Sequence, residues 1–309
     1  MKKFCKKVFL FCLPLILVYI FVAIFILPSI VEAEMGPSTR TQIEVSFKNA
    51  LEKDYELLIL GNSRAYRGIN PSLLDVSSYN FFHDNDTYNQ LYYKLLHLLA
   101  NKKNIKYLVL GVDYFQFSYI SDTRNYVYSD LLGKDYNADY PFQNGFSDFL
   151  NETQLLDFKR IKMLKRFGKS ERNKSIYLKN NGQYIKPGKA TISNIANDLI
   201  DRIPIQIKYF ERILAECKKK NIRVFICMMP ARDLAMNYYT QAEILEFNNF
   251  VKSYSNDYYK LLDFTYNKEF KMEDYTDIKH LTEKGADKFT VLLNSCINEK
   301  LKASTIVYK

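Results

Sequence analysis

The sequence predicts an α/β fold, a parallel β-sheet covered on both faces by helices and preceded by one N-terminal transmembrane helix. Three observations predict it. Val8 to Val31 is an uncharged apolar run, short apolar runs ending at turn residues recur along the rest of the chain, and segments with helical apolar spacing fall between them. The 309 residues are 48% hydrophobic and 25% charged, which suits a folded globular chain rather than a disordered one. With the N-terminal run set aside, enough chain remains for one large domain or two small ones, and one α/β domain with an insertion is the expectation.

At ~1.5 Å per residue, Val8 to Val31 is long enough to cross a hydrocarbon core of ~30 Å. Lys2, Lys3, Lys6 and Lys7 precede the run, and Glu32 and Glu34 follow it. The positive-inside rule then puts the N-terminus in the cytoplasm and everything after about residue 32 outside. The expected division is therefore 1–33 as cytoplasmic tip and anchor, and 34–309 as an extracytoplasmic domain of a single-pass cell-membrane protein. Val31-Glu32-Ala33 also resembles a small-x-small cleavage site, so a cleaved signal peptide is the alternative, although the apolar core of such peptides is typically ~7–15 residues.

The elements of the exterior domain follow in order. Gly36 and Pro37 mark a short linker from Glu34 to Arg40, and Thr41 to Lys53 reads as a helix. Tyr55 to Leu60 is the first strand, an apolar run that stops at Gly61-Asn62-Ser63 as a buried strand does on meeting a turn. Leu91, Leu95, Leu98 and Leu99 give a helix over Tyr88 to Asn101, and Ile105 to Val112 is the next strand, interrupted near its end by Gly111. Ile203 to Lys220 is helical in character and leads into a strand over Arg223 to Met229, stopped by Pro230. Ile244, Phe247 and Val251 share one face of a helix over Thr240 to Tyr254, and a short strand follows at Tyr259 to Phe264. The final helix begins near Gly285 and offers Phe289, Leu292, Leu293 and Ile297 to the sheet. Ser118 to Thr191 breaks this rhythm, being rich in Tyr, Asn, Asp, Lys and Gly. It reads as an insertion at about 118–191, either a lid or substrate-binding wall or a plain loop region.

Composition excludes some function classes. The formal charge is +10, but four of those positive charges precede the apolar run, so the remainder carries a modest surplus. That surplus suits an anionic cell-surface polymer or a membrane surface, or solubility alone; no basic stripe with interleaved aromatics points to nucleic acid. Of five cysteines, Cys5 and Cys12 lie in or beside the apolar run. Cys217, Cys227 and Cys296 are dispersed, form neither a metal-ligand cluster nor a disulfide framework, and read as buried free thiols. No cofactor and no metal are expected.

The residues suited to chemistry lie at two places. Ser63 follows a strand directly, where ligands of open α/β sheets gather and where a helix N-terminus offers backbone N–H groups to a developing oxyanion. Read alone, such a Ser is equally a turn residue or cap. More than two hundred residues downstream stands Asp277-Ile278-Lys279-His280. An Asp three residues before a His can hold its Nδ1–H and leave Nε2 to take a proton from a hydroxyl. The chain has three histidines, and neither His83 nor His97 has an acid three residues upstream; His97 sits in the Leu-rich helix as a structural residue.

The block Leu57-Leu58-Ile59-Leu60-Gly61-Asn62-Ser63-Arg64 and the block Asp277-Ile278-Lys279-His280-Leu281-Thr282-Glu283-Lys284-Gly285-Ala286 resemble the first and last signature blocks of the SGNH/GDSL hydrolases. The resemblance implies a three-layer α/β/α flavodoxin-like domain in which Ser63 is nucleophile and Asp277 and His280 complete a triad. The middle blocks depart from the family pattern. Tyr79 to Asp86 has no Gly, and Leu110-Gly111-Val112-Asp113 has Asp where the pattern has Asn, so the oxyanion donors are expected from the Ser63 or Arg64 backbone N–H, with Asn85 as a second donor. Arg64 either pairs with an acid behind the site or faces an anionic substrate, and Asp113 reads as a loop or capping residue. A single-span protein of this kind is similar to those that act with membrane-bound O-acyltransferases in polysaccharide O-acetylation and to the accessory protein of lipoteichoic-acid D-alanylation. By that analogy the expected function is a serine esterase or O-acyltransferase acting on a cell-envelope glycan or lipid-linked acylated polymer, with a membrane-bound O-acyltransferase as partner. The alternative is a catalytically inactive binding or assembly module of an envelope-modifying complex.

Overall fold

The computed structural model describes residues 1–35, 37–102, 104–122, 124–139, 145–153, 155, 178–185, 188 and 199–306. Helix α1 (Lys2–Phe21) continues through a π-helical turn (Val22–Ile26) into α2 (Leu27–Met35), and α3 (Thr39–Glu52) follows. Then come β1 (Leu57–Leu60), α4 (Ser63–Gly68), β2 (Ser78–Asn80), α5 (Tyr88–Asn101) and β3 (Tyr107–Val112). After them lie α6 (Asn125–Asp139), kinked at Gly133, and α7 (Gly145–Thr153). The chain closes with α8 (Pro204–Lys219), β4 (Arg223–Met228), α9 (Asp233–Met236), α10 (Gln241–Ser253), β5 (Tyr259–Asp263) and α11 (Glu283–Ile306).

Among the described residues five strands form one sheet in the order β2-β1-β3-β4-β5, and its neighbouring strands pair in parallel. Parallel neighbours require crossovers, so β1, β3, β4 and β5 are reached through helices, as the alternating pattern predicts. Successive residues of a strand face opposite sides. Leu57, Ile59, Val109, Phe225, Cys227 and Leu262 pack on one side with Ala65 and Ile69 around α4 and with Ala286, Phe289, Leu293 and Ile297 of α11. Leu58, Leu60, Leu108, Leu110, Val224 and Ile226 point the other way and are also inaccessible, so the sheet is covered on both faces. Strands buried on both faces read as continuous apolar runs, which is why β1, β3 and β4 are visible in the sequence. β2 is not, because Ser78-Tyr79-Asn80 is three residues long and two of them are polar.

The chain divides into two compact units, Met1–Glu44 with Asp122–Ile176, and Val45–Ser121 with Tyr177–Lys309. The sheet belongs to the second. Most of the sequence-predicted insertion at about 118–191 groups with the N-terminal residues, and its residues 123, 140–144, 154, 156–177, 186–187 and 189–191 lie outside the described residues. Its end returns to the second unit. Leu178 bridges Tyr184, the Asn80 N–H donates to Asn181 O at 3.0 Å, and the Tyr184 N–H donates to Tyr66 O at 3.1 Å, so this hairpin braces α4 and the β2 edge.

In the first unit, the helix from Lys2 to Glu32 is long and apolar enough to cross a membrane. Arg40 is the polar centre of that unit, bonded to Asp130 at 2.9 Å, Glu152 at 2.6 Å and the Tyr126 carbonyl at 3.1 Å.

Candidate active site

β1 ends at Leu60, and two glycines let the chain turn there. A Cβ on Gly61 would stand 2.9 Å from the Ala65 Cβ and 3.1 Å from the Gly111 Cα, so β1 and β3 close to this distance only because Gly61 and Gly111 lack side chains. Asn62 then caps α4. Its backbone is extended, and its Oδ1 accepts from the Arg64 N–H at 2.9 Å, an N-cap interaction of about 1 kcal/mol. Its Nδ2 donates to Gln116 Oε1 at 3.2 Å and to the Asp113 carboxylate. Ser63 is thereby fixed at the first position of α4, above the carboxyl end of β1.

Behind Ser63, Arg64 is buried and works as a tie. Its guanidinium donates to the Asp113 carboxylate, to Met229 O at 3.0 Å and to Pro230 O at 2.6 Å, while Nε donates to Lys279 O at 3.2 Å. One side chain therefore joins the ends of β3 and β4 to the loop that carries His280. Burial pushes the Asp113 carboxyl upward, with Arg64 and Asn62 pulling against it, the balance expected of a desolvated ion pair.

The loop after β5 is held by its own backbone. Tyr275 bridges Leu281, the Thr276 N–H donates to His280 O at 2.8 Å, and the Thr282 N–H donates to Asp274 O at 2.8 Å. α11 presses against its base. A Cβ on Gly285 would fall 2.2 Å from Asp274 O. Within the loop, Asp277 Oδ1 accepts from the N–H groups of Lys279 and His280, each at 2.8 Å, and Arg232 Nη1 reaches Asp277 O at 3.4 Å.

These two supports bring Ser63, His280 and Asp277 together. His280 Nδ1 lies 2.8 Å from Asp277 Oδ2 and 3.0 Å from Oδ1, and Nε2 lies 2.8 Å from Ser63 Oγ. A carboxylate only accepts, so Nδ1 carries the ring proton and Nε2 accepts from the Ser63 hydroxyl. Burial raises the Asp277 carboxyl, but the hydrogen bond and charge of His280 and the two backbone N–H groups outweigh it and hold the group well below the usual carboxylate range. The His280 side chain is 14% exposed and that of Asp277 47%, so the chain of bonds is open to solvent at the Asp277 end.

The other sequence-predicted positions are placed differently. Arg64 pairs with the acid behind the site rather than facing outward, and its N–H is taken by Asn62. Asn85 is exposed at a left-handed turn with φ 64°, and no hydrogen bond links it to Ser63 or His280 among the described residues. His83 is buried, its Nδ1 2.7 Å from the inaccessible Lys94 Nζ, which also meets Asp86 Oδ2 at 2.5 Å. Phe47 stands edge-on to His97, whose ring burial pushes toward the neutral form. Asn62, Gln116 and Arg232 are the site residues that sequence reasoning missed; only Asn62, directly before Ser63, carried a signal, as a cap residue.

A small, mostly apolar cleft of about 30 Å³ adjoins the loop, lined by Tyr114, Phe115, Ala231, Met236, Ile278 and Lys279 among others. Among the described residues no group of three or more His, Cys, Asp or Glu side chains could hold a metal ion. A family model for a domain of unknown function matches residues 183–302, well under half of the chain; the match includes Asp277 and His280 and leaves out Ser63. No curated protein matches the chain.

Proposed function

We propose that this chain is a membrane-anchored, extracytoplasmic serine esterase or O-acyltransferase of the SGNH/GDSL type, acting through an acyl-Ser63 intermediate. The observation that carries the reading is the continuous bond chain from Asp277 through His280 to Ser63 Oγ. In the proposed reaction His280 Nε2 takes the Ser63 proton as Oγ bonds the acyl carbonyl carbon. The tetrahedral intermediate then collapses, the ester C–O bond breaks, and the leaving alcohol receives that proton from His280. A second hydroxyl, from water or a sugar, gives its proton to His280 and attacks the acyl carbon; the bond from that carbon to Ser63 Oγ then breaks, and His280 returns the proton to Oγ. Asp277 stabilises the imidazolium at each stage. The proposed backbone donor to the developing oxyanion is the Ser63 N–H, in the first turn of α4, because Asn62 takes the Arg64 N–H.

The apolar helix from Lys2 to Glu32 supports a single span with Lys2, Lys3, Lys6 and Lys7 on the cytoplasmic side. Such a tether puts the site beside the cell envelope. The proposed substrates are acyl esters of an envelope glycan or lipid-linked polymer, with a membrane-bound O-acyltransferase as the partner that supplies or receives the acyl group.

The test is intact mass of the full-length protein in detergent after a fluorophosphonate probe. One adduct is expected on wild type and none on Ser63→Ala or His280→Ala. A folded wild type that stays unlabelled would overturn the enzymatic reading in favour of a binding or assembly module.

A further inference from the structure

We infer that α7 is a second membrane contact, a short helix seated in the outer leaflet beside the N-terminal span, and this inference rests on reading that helix as the membrane anchor. The orientation of α7 is the first observation. A helix on a water-soluble surface turns its apolar stripe to the protein and its polar stripe outward. In α7 the apolar edge is open instead. Asp148 accepts from Asn125 Nδ2 at 2.9 Å, and Glu152, its side chain 47% exposed, pairs with Arg40 at 2.6 Å, so the polar i, i+4 edge is tied to the protein. Phe146 and Phe149, three apart on the other edge, are 71% and 43% exposed.

The second observation places the chain just beyond α7 at membrane depth. Leu155, two residues beyond the end of α7, accepts through its carbonyl from the Tyr19 hydroxyl of α1. With the hydrocarbon core beginning after Lys7 and ~20 residues needed to cross it, the outer boundary falls near Leu27, and Tyr19 lies roughly 12 Å inside it at ~1.5 Å per residue. The outer half of the span is also where one face of it is covered. Ala23, Leu27 and Ile30 are buried, whereas Phe9, Phe11, Leu15 and Leu17 are exposed. The occupant of the Phe146 and Phe149 edge is therefore lipid, and α7 fixes the juxtamembrane unit against the bilayer at a second point.

The chain has no tryptophan, so Phe146→Trp, Phe149→Trp and Leu17→Trp each give a single reporter in the full-length protein. All three are reconstituted in nanodiscs of plain or acyl-brominated phosphatidylcholine. The expected result is blue-shifted emission, quenched at least about twofold by the brominated lipid, from both α7 reporters as well as from Leu17→Trp, as for a helix seated ~5–10 Å into the headgroup and acyl boundary. Quenching of Leu17→Trp alone, with both α7 reporters emitting as in water and open to acrylamide, would overturn the inference while leaving the anchor in place. An unquenched Leu17→Trp would remove the anchor and this inference together. Two reporters on one edge keep the test decisive if one substitution disturbs folding.

Discussion

At the scale of single residues, the site divides into groups that would react and groups that hold them. Asp277 belongs to the first set through His280, whose ring it orients. Asp277→Asn is expected to keep the fold and to lower the rate of acyl transfer or fluorophosphonate labelling on the order of 10⁴-fold, because an amide at that position favours the wrong imidazole tautomer. The same carboxyl gives a stability signature. Its folded pKa is depressed below the ordinary ~3.9, so its contribution is present above that pH and is lost as pH falls through the folded value. The Tm gap between wild type and Asp277→Asn, measured from pH 7 downward, should therefore hold to about pH 4 and close below it. The gap should be small, since the side chain is 47% exposed and solvent screens it. Arg64 belongs to the second set. Arg64→Met strands Asp113, whose side chain is 2% exposed, and removal of one partner from a buried pair costs about 3–5 kcal/mol. Chemical denaturation should show that loss, and adding Asp113→Leu to Arg64→Met should recover much of it.

At the scale of elements, the apolar runs are legible in the sequence and the polar joints are not. The sequence predicts β3 and β4 to within two residues of their bounds, and α5 at its observed bounds, because burial on both faces of the sheet, or on one face of a helix, leaves a trace in the apolar pattern. β2 left none. The pairing of Ser63 with Asp277 and His280 was legible only through the two signature blocks, since nothing local to either block states that the loop after β5 crosses the sheet ends to reach α4. The Arg64–Asp113 pair and the Asn62–Gln116 bond were not legible as partners: a polar residue in a loop looks alike whether it meets water or another loop. Gly285 shows how tightly one such joint is made. Gly285→Ala would place a methyl 2.2 Å from Asp274 O, a backbone atom that cannot rotate away. Overpacking of this kind costs typically about 1–3 kcal/mol, and here it would shift the start of α11 against the base of the His280 loop. Thermal unfolding should report the destabilisation, and probe labelling should slow in the variant even below its Tm, because the displaced loop carries the proposed base.

At the scale of the whole molecule, the proposed membrane crossing has a direction that can be checked directly. The positive-inside rule acts on short flanks near a span, and here the four lysines before Val8 face no acid until Glu32. The cysteines supply the reporter. Cys217 and Cys227 are inaccessible, the Cys217 thiol is pushed by burial to about 12 and the Cys227 thiol further still, so neither forms the reactive thiolate in the native protein. Cys12 lies within the apolar helix, where a charged maleimide does not reach, and burial also raises the Cys296 thiol. Cys5 is exposed at the lysine-rich end. In intact cells a membrane-impermeant maleimide is therefore expected to leave Cys5 unmodified, and permeabilisation should bring a single rapid adduct that Cys5→Ser abolishes. Rapid labelling of Cys5 in intact cells would reverse the topology, place the Ser63 site in the cytoplasm and remove envelope glycans from the proposed substrates, without touching the geometry that joins Ser63, His280 and Asp277.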